Sequence, residues 1–306
     1  MVRLRTLRAL SFSDLDAIRG FLTEAHALDC AQLSDHLHTD LEQGPRDGFV
    51  AALAEDESGV LVGYAQASVG NDGFVVDSIV SSSYGGDIDA TRLRLLRAVV
   101  DEVPADDGVT WWTHRGEGVE PVAVALALVP GRALLQMRRP LPLPPAIVPA
   151  NTVEVRPFVV GTDEGAWLAV NNAAFEWHGE QGGWDLITLH QREREPWFRA
   201  EGFLLHEREG RLAAFCWTKV HPRSATGDTL VGEIYVIAVH PDFHGRGLGR
   251  ALTVAGLDYL TTAGAEEAML YVDAANTGAV GLYASLGFEV SHTDQAYVRS
   301  PKGTPS

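Results

Sequence analysis

The sequence predicts a mixed α/β fold that is built as two tandem domains. Strand-like runs alternate with segments that carry the apolar period of an amphipathic helix, most clearly Gly247–Ala263. A proline-rich segment lies near the middle of the chain, and the halves on either side open alike. Val2–Leu7 and Val153–Phe158 both read as a strand and both lead into a helical pattern. These observations indicate one domain that occurs twice, at an offset of about 150 residues.

The composition allows two hydrophobic cores and disfavours a nucleic-acid partner. The chain has 306 residues, 46% of them hydrophobic, which suffices for two ordinary domains. Its formal charge of -17 repels a phosphate backbone. The apolar stretches fall short of the ~20 residues of a membrane span, so we expect a small-molecule partner, no nucleic acid and no membrane. The two cysteines, Cys30 and Cys216, are too few for a disulfide framework and favour a reducing cytoplasm. We also expect a monomer.

The division between the domains follows from the prolines. Arg138–Thr152 reads RRPLPLPPAIVPANT, whose five prolines disfavour a helix or a central strand. We interpret residues 141–151 as a semi-rigid linker with extended, polyproline-like backbone. This interpretation gives an N-terminal domain over residues 1–140 and a C-terminal domain over 152–306.

Each half contains five strand-like runs, defined by β-branched or alternating apolar residues. In the first half they are Val2–Leu10, Phe49–Ala54, Gly59–Ser68, Phe74–Ser81 and Val109–His114, with a helix predicted over Asp89–Val103. In the second half they are Thr152–Pro157, Gly202–Glu207, Arg211–His221, Val231–His240 and Ala268–Asp273.

The clearest chemical signal is a glycine-rich turn between the strand that begins at Glu233 and the helix of Gly247–Ala263. Gly245, Gly247 and Gly249 let the backbone approach a ligand closely. Free N–H groups at a helix N-terminus, beside Arg246 and Arg250, suit a pyrophosphate. An ordinary glycine-containing turn is the alternative. The spacing fits neither a P-loop, which requires Gly-Lys-Ser or Gly-Lys-Thr, nor the G-x-G-x-x-G of a dinucleotide site.

This turn resembles the signature of the GNAT superfamily of acyl-CoA-dependent N-acetyltransferases, Q/R-x-x-G-x-G/A after a strand. Here it reads His244-Gly-Arg-Gly-Leu-Gly249, with histidine in place of Gln or Arg. The segment Asn276–Phe288 resembles a second element of these domains, N-x-x-A-x-x-x-Y-x-x-x-G-F. The resemblance implies, for each domain, a mixed and mostly antiparallel sheet flanked by helices. It also implies acetyl-CoA as co-substrate.

The resemblance further implies which residues contact the co-substrate. In the C-terminal domain they are Ile237, Ala238, Val239, His244, Gly245, Arg246, Gly247, Leu248, Gly249, Arg250, Asn276, Thr277, Gly278, Ala279, Val280 and Gly281. In the N-terminal domain, Ile79, Val80 and Ser81 would make equivalent backbone contacts. Tyr283 matches the tyrosine that protonates the departing CoA thiolate in this superfamily, although a buried core tyrosine is the alternative.

Four longer segments resemble the mycothiol synthase family, which has tandem GNAT domains. They are Leu134–Pro142, Asn171–Trp184, Trp217–His221 and Tyr271–Asn276. The family acetylates the cysteinyl amine of desacetylmycothiol, a cysteine–glucosamine–inositol conjugate. By this resemblance the substrate-binding residues are Asp35, Glu180, Lys219, Glu233 and Tyr271. A GNAT enzyme for another small amine or an aminoglycoside, and a non-catalytic acyl-CoA sensor, are the alternatives.

Glu233 is the candidate general base, since an amine must be neutral to attack a thioester. It heads an apolar strand beside the glycine turn, where strand alternation predicts that it shares a face with Tyr235, Ile237 and Val239. It would act directly or through water. A solvated carboxylate at a strand end is the alternative.

The first half lacks the side chains that carry this chemistry. Its counterpart of the glycine turn, Ser81–Asp89, contains two acids and no cation. Placing Gly131 on Gly287 sets Ala127 opposite Tyr283 and Glu120 opposite Asn276. We therefore predict a degenerate, non-catalytic N-terminal domain that forms a wall and partial lid for the substrate. The histidines form no HExxH or Cys/His pattern, so we expect no metal site.

Overall fold

The computed structural model describes residues 2–29, 33–43, 47–70, 73–114, 119–147, 153–176, 181–223 and 229–300. The chain forms two compact units. Unit 1 comprises Met1–Ala133 and Asp294–Ser306, and unit 2 comprises Leu134–Thr293. Among the described residues, no helix is long and apolar enough to cross a membrane.

The secondary structure confirms the mixed α/β class. The strands are β1 Arg3–Leu7, β2 Val50–Glu55, β3 Leu61–Gly70, β4 Gly73–Val80, β5 Val109–His114, β6 Val129–Pro140, β7 Arg156–Pro157, β8 Phe203–Arg208, β9 Arg211–Val220, β10 Val231–Val239, β11 Glu267–Asp273 and β12 Glu289–Arg299. The helices are α1 Phe12–Asp29, α2 Asp35–Gln43, α3 Ile88–Val100, α4 Val119–Ala125, α5 Glu164–Ala174, α6 Leu186–Glu193, α7 Leu248–Thr262 and α8 Thr277–Ser285. Short 3-10 turns occupy Ala200–Gly202 and Pro241–Phe243.

In unit 1 the sheet order is β1-β2-β3-β4-β5-β12. All neighbours are antiparallel except β4 and β5, which run parallel. Helix α3 covers one face, where Leu95, Leu96 and Val99 are fully buried. Helices α1 and α2 cover the other through Ile18 and Leu37.

Unit 2 has the same plan, in the order β6-β11-β10-β9-β8-β7. Only β10 and β11 run parallel, over a short register. Helices α7 and α8 pack on one face, which we call the α7 face, through residues such as Leu252, Leu257 and Leu286. Helices α5 and α6 pack on the other, the α5 face, where the Trp217 ring stacks on Phe203 at 4.2 Å. The strand pairing in both units confirms the predicted tandem, mostly antiparallel architecture.

The first three residues of the proline-rich segment lie in a strand, which its prolines had disfavoured. Arg138, Arg139 and Pro140 lie in β6, opposite Met269, Ala268 and Glu267 of β11. A proline is tolerated here because it ends the strand and needs no further ladder hydrogen bond. The five predicted runs of each half also did not include β6 and β12, although Gly131 and Gly287 each indicated the change from a helix to a strand. In addition, of the described residues 153–157 in the predicted strand Thr152–Pro157, only Arg156–Pro157 lies in the sheet.

The last strand of each half belongs to the other unit. Leu134–Pro140 of β6 pairs with β11 in unit 2, and Asp294–Arg299 of β12 pairs with β5 in unit 1. The compact units therefore do not coincide with a linear division of the chain at residues 141–151.

Candidate active site

Strand β10 lies at the centre of the candidate site and contains a β-bulge. Opposite β9, Ile234 pairs with Thr218, but the next residue of β9, Trp217, pairs with Val236. Tyr235 is therefore an extra residue in β10. One extra residue reverses the alternation of side chains beyond it.

The bulge overturns the predicted face of Glu233. Ile237 and Val239 pack into the core cluster on the α7 face. Glu233 is opposite Lys219, whose ammonium lies over the Tyr235 ring on the α5 face. Glu233 thus shares a face with Tyr235 as predicted, and not with Ile237 and Val239.

Beyond the bulge, β10 parts from β11. Their parallel register runs from Val231 opposite Glu267 to Ile234 opposite Leu270, and no further pairs are recorded along these fully described strands. The N–H of His240 points to β9, where it donates to the Ala213 carbonyl. Because backbone groups alternate along a strand, those of Val239 and Ile237 point to the open side. On that side the Val239 carbonyl accepts a hydrogen bond from His244 Nε2 at 2.9 Å.

The glycine turn continues from this open strand end. Gly245 and Gly247 have φ of 73° and 75°, a region that favours glycine. A Cβ atom built on either would meet nothing within 4 Å, so the turn faces open space. Gly247 is the N-cap of α7 and supplies no side-chain cap. The N–H groups of the first turn of α7 can therefore bind an anion.

A pocket of about 290 Å³ joins the strand end, the glycine turn and α8. Eleven of the predicted residues line it: Ile237, Ala238, Val239, His244, Gly245, Gly247, Leu248, Gly249, Asn276, Ala279 and Tyr283. The structure thus brings together the two sequence motifs, which are separated by about one helix and one strand.

Six predicted residues are not among the described residues that line this pocket. They are Arg246, Arg250, Thr277, Gly278, Val280 and Gly281. The Arg246 guanidinium lies over the Phe243 ring at 5.2 Å, and Arg250 donates to Ser285 Oγ at 2.6 Å. At the pocket itself, the direct donors to an anion are therefore main-chain N–H groups and not the guanidinium of either arginine.

Three lining residues were missed by the sequence reading: Phe243, Thr253 and Leu282. Helical spacing could have indicated two of them, since Thr253 lies one turn after Gly249 and Leu282 one turn after Ala279. Thr253 is fully buried, and its hydroxyl donates to the Gly249 carbonyl at 2.8 Å.

Helix α8 carries Tyr283 into the pocket. The helix is capped by Asn276, whose side chain accepts a hydrogen bond from the Ala279 N–H at 3.1 Å. Tyr283 is buried, and this burial raises the pKa of its hydroxyl. The phenol therefore stays protonated at neutral pH and can act as a hydrogen-bond donor.

Glu233, Lys219 and His221 form a polar group on the α5 face. No role was predicted for His221 from the sequence. Glu233 is only 7% exposed, and its Oε2 lies 2.8 Å from Nε2 of His221. The Lys219 ammonium lies 4.9 Å from the centre of the Trp197 ring. The missed signal is the spacing of Lys219 and His221, because residues two apart on a strand share a face.

Tyr271 lies on this face too. The parallel register places Met269 opposite Glu233, and Tyr271 follows two residues later. Its hydroxyl accepts a hydrogen bond from Gln136 Nε2 at 2.7 Å. The ring is 42% exposed, so a ligand can reach it.

The remaining predictions fall elsewhere. Glu180 lies outside the described residues. Asp35 is the first residue of α2 in unit 1. Ile79 and Val80 end β4 of the same unit and are buried, and the Ser81 hydroxyl lies 2.7 Å from that of Ser83.

Comparison with known proteins decides the family. Residues 171–288 match the model of the acetyltransferase (GNAT) family. A mycothiol acetyltransferase of Parafrankia is 38% identical over 99% of this chain and 100% of its own length. Those of Thermobispora bispora and Streptomyces coelicolor are 49% and 40% identical, over 70% and 94% of their own lengths. The chain belongs to the mycothiol acetyltransferase family. It is accordingly an acetyltransferase of the GNAT fold, whose members use acyl-CoA.

Solved structures support the fold assignment of this mycothiol acetyltransferase family member. A GCN5-related N-acetyltransferase from Sphaerobacter thermophilus has a TM-score of 0.67 and 22% identity, covering 99% of this chain and 97% of that one. A tandem GNAT protein from the clavulanic acid biosynthesis pathway has a TM-score of 0.66 and 16% identity, with full coverage of both chains. At these identities the similarity concerns the fold alone.

Unit 1 differs from unit 2 at the helix N-terminus that follows its fourth strand. Helix α3 begins after Asp87, whose carboxylate accepts a hydrogen bond from the Ala90 N–H at 2.9 Å. A negative side chain thus occupies the position that is uncapped in α7. A second anion would be repelled there, which distinguishes the two units of this family member electrostatically.

Proposed function

We propose that the chain transfers the acetyl group of acetyl-CoA to the cysteinyl amine of desacetylmycothiol, forming mycothiol. The observation that carries the proposal is the uncapped glycine turn beside an open strand end, with Glu233 on that same strand. We infer the acceptor substrate from the relatives, which bear the name mycothiol acetyltransferase and match nearly the whole chain. The cytoplasm is the proposed compartment, since the product is a thiol.

The pocket fits an acyl-CoA. In the proposal, the N–H groups of residues 245–249 hold the diphosphate, because α7 has no side-chain cap that competes for them. The backbone groups of Ile237 and Val239 on the open side of β10 bind the pantetheine amides and the thioester carbonyl. A methyl group at Gly245 or Gly247 would enter the space that the diphosphate occupies.

The acceptor amine attacks the thioester carbon, so that an N–C bond forms as the C–S bond breaks. Glu233 accepts the proton that the amine loses, directly or through a water, and His221 holds the carboxylate in place. Tyr283 donates a proton to the departing CoA sulfur, since its raised pKa keeps it protonated. Protons balance, because one leaves the amine and one reaches the thiolate.

The α5 face of unit 2 is the proposed site for the sugar and inositol of the acceptor. Glu233, Lys219 and Tyr271 present a carboxylate, an ammonium and a hydroxyl there, which suits a substrate rich in hydroxyl groups. Glu180 and Asp35 are proposed as acceptor contacts from the family resemblance alone. Unit 1 is proposed to be non-catalytic, because Asp87 already caps α3. The backbone of residues 79–81 is proposed as a second contact for acetyl-CoA.

The test is a CoA-release assay with acetyl-CoA and desacetylmycothiol, followed by mass spectrometry of the product. The proposal expects the new acetyl group on nitrogen, and much slower release with a glucosamine–inositol that lacks cysteine or with an aminoglycoside. Faster turnover of an aminoglycoside would replace the proposed acceptor by another amine. Binding of acetyl-CoA with no release on any amine would indicate a sensor and overturn the proposal.

A further inference from the structure

We propose that unit 2 has a zinc site between α5 and α6, formed by Glu164, His190 and Glu193. One ligand atom from each of these residues lies within 4.8 Å of the others. The site is separate from the acyl-CoA pocket, which none of the three lines. The proposal does not depend on the acetyltransferase reaction.

The fold places the three ligands by helical spacing. His190 and Glu193 are three residues apart on α6, so their side chains lie on one face of that helix. Glu164 opens α5, and one of its carboxylate oxygens accepts a hydrogen bond from the Gly161 N–H, which fixes its direction. Because 26 residues separate Glu164 from His190, no short metal-binding motif is visible in the sequence.

A second observation concerns Glu193 alone. Its side chain is only 8% exposed, and its Oε1 is buried with no hydrogen-bond partner among the described residues. Its other oxygen, Oε2, lies 4.0 Å from Nε2 of His190. A buried carboxylate oxygen without a partner is costly. A cation beside Glu193 would provide the missing interaction.

The charges around Glu193 also favour a bound cation. The carboxylates of Glu164 and Glu193 each place an oxygen within 4.8 Å of the other and of a ring nitrogen of His190. Two carboxylates therefore share one partly dry site, which a divalent ion would neutralise. A proton retained on Glu193 would also reduce the repulsion between the two carboxylates. In that case the protein would bind no metal at this site.

The chemistry of the ligands favours zinc over magnesium or calcium. Zinc accepts both imidazole nitrogen and carboxylate oxygen as ligands, whereas magnesium and calcium prefer oxygen alone. His190 is half exposed, so a water can complete a tetrahedral shell from the solvent side. Such an ion would tie α6 to α5 above the buried Trp167 and Leu189, a structural role.

The experiment uses the full-length chain without a histidine tag, stripped with a chelator and titrated with zinc by calorimetry. The expected result is one zinc per chain, together with an upward shift of the thermal midpoint on zinc addition. His190→Ala and Glu193→Gln should each weaken zinc binding by more than about tenfold, as ligand loss costs at least as much as loss of an outer-shell partner. Magnesium should give no comparable binding.

Two matched variants control for general effects. His26→Ala removes an exposed histidine of unit 1, and Glu195→Gln removes a carboxylate just after α6; both should bind zinc as the wild type does. Without zinc, Glu193→Gln should unfold at the same temperature as the wild type or higher, which shows that it folds. Wild-type protein that binds no zinc, or zinc binding that survives both His190→Ala and Glu193→Gln, would overturn the site.

Discussion

The Nε2 atom of His221 lies 2.8 Å from Oε2 of Glu233, across the antiparallel pair β9 and β10. The contact is partly shielded from water, since Glu233 is buried and His221 only partly exposed. Charge-assisted hydrogen bonds of this kind fix the orientation of a carboxylate. His221 is therefore a positioning residue for the proposed base.

We expect His221→Ala to lower kcat by about tenfold, which is less than the roughly 10²–10⁴-fold ascribed to a positioned acid or base itself, because His221 acts through Glu233. The KM for acetyl-CoA should not change, because His221 does not line the acyl-CoA pocket. Steady-state kinetics against both substrates measure this. His206→Ala, on the neighbouring strand β8, should leave kcat unchanged; a His221→Ala defect confined to the KM for acetyl-CoA would contradict the role.

Replacing Tyr283 by Phe removes the hydroxyl and leaves the buried ring. Loss of a proton donor to the leaving group should lower kcat by about 10²-fold or more. The matched control is Tyr259→Phe on α7, since Tyr259 also has a pKa raised by burial but lies outside the pocket lining. Equal single-turnover rate constants for wild type and Tyr283→Phe would remove Tyr283 from the mechanism.

Gly247→Ala tests the glycine turn. A side chain at φ of 75° costs roughly 1–2 kcal/mol, and the methyl group would also lie where the diphosphate is proposed to bind. We expect a higher KM for acetyl-CoA and a lower midpoint of unfolding. Gly165→Ala on α5 is the control, because its added Cβ also meets nothing within 4 Å and its φ is ordinary. It should be neutral or slightly stabilising.

Asp77 on β4 should make the stability of unit 1 depend on pH. Burial raises its pKa to about 7, despite the Ser78 N–H and Arg92. Between pH 4 and pH 7 the folded chain keeps this proton while the unfolded chain releases it, so the free energy of unfolding falls as pH rises. The slope is at most about 1.4 kcal/mol per pH unit, and it ends above pH 7.

Denaturant titrations at several pH values measure this slope. Asp77→Asn should flatten it and should be the more stable variant at pH 8, because no charge is then buried. Asp47→Asn, at an exposed position, should retain the wild-type slope. An Asp77→Asn curve that runs parallel to that of the wild type would show that another group titrates.

Local sequence signals predicted the elements that depend on local physics. The apolar period and the preceding glycines predicted a helix over Gly247–Ala263, and α7 spans Leu248–Thr262. The pocket likewise unites residues from both GNAT motifs. The helix and each single motif are set by spacing within about 20 residues, where period and turn chemistry are decisive.

Features set by pairing between distant segments were not predictable in this way. The bulge at Tyr235 exists only in register with β9, and it reverses the side chains of Ile237 and Val239. The contact of His221 with Glu233 depends on the same register. The end of β6 was not predictable either, because Pro140 disfavours a strand in the sequence. Its pairing with Glu267 of β11 can be seen only in the structure.

Strand β6 of the first half pairs with β11 of the second half, and β12 of the second half pairs with β5 of the first. This exchange has a consequence for expressing either half as a separate fragment. A fragment that stops in the proline-rich segment keeps β6 but loses β12, which leaves the edge of β5 bare. The complementary fragment keeps β12 and lacks β6, so the edge of β11 is bare instead. Bare edges recruit other strands. Each fragment alone should aggregate or capture a copy of itself, whereas the two co-expressed should reassemble, because each carries the strand that the other needs.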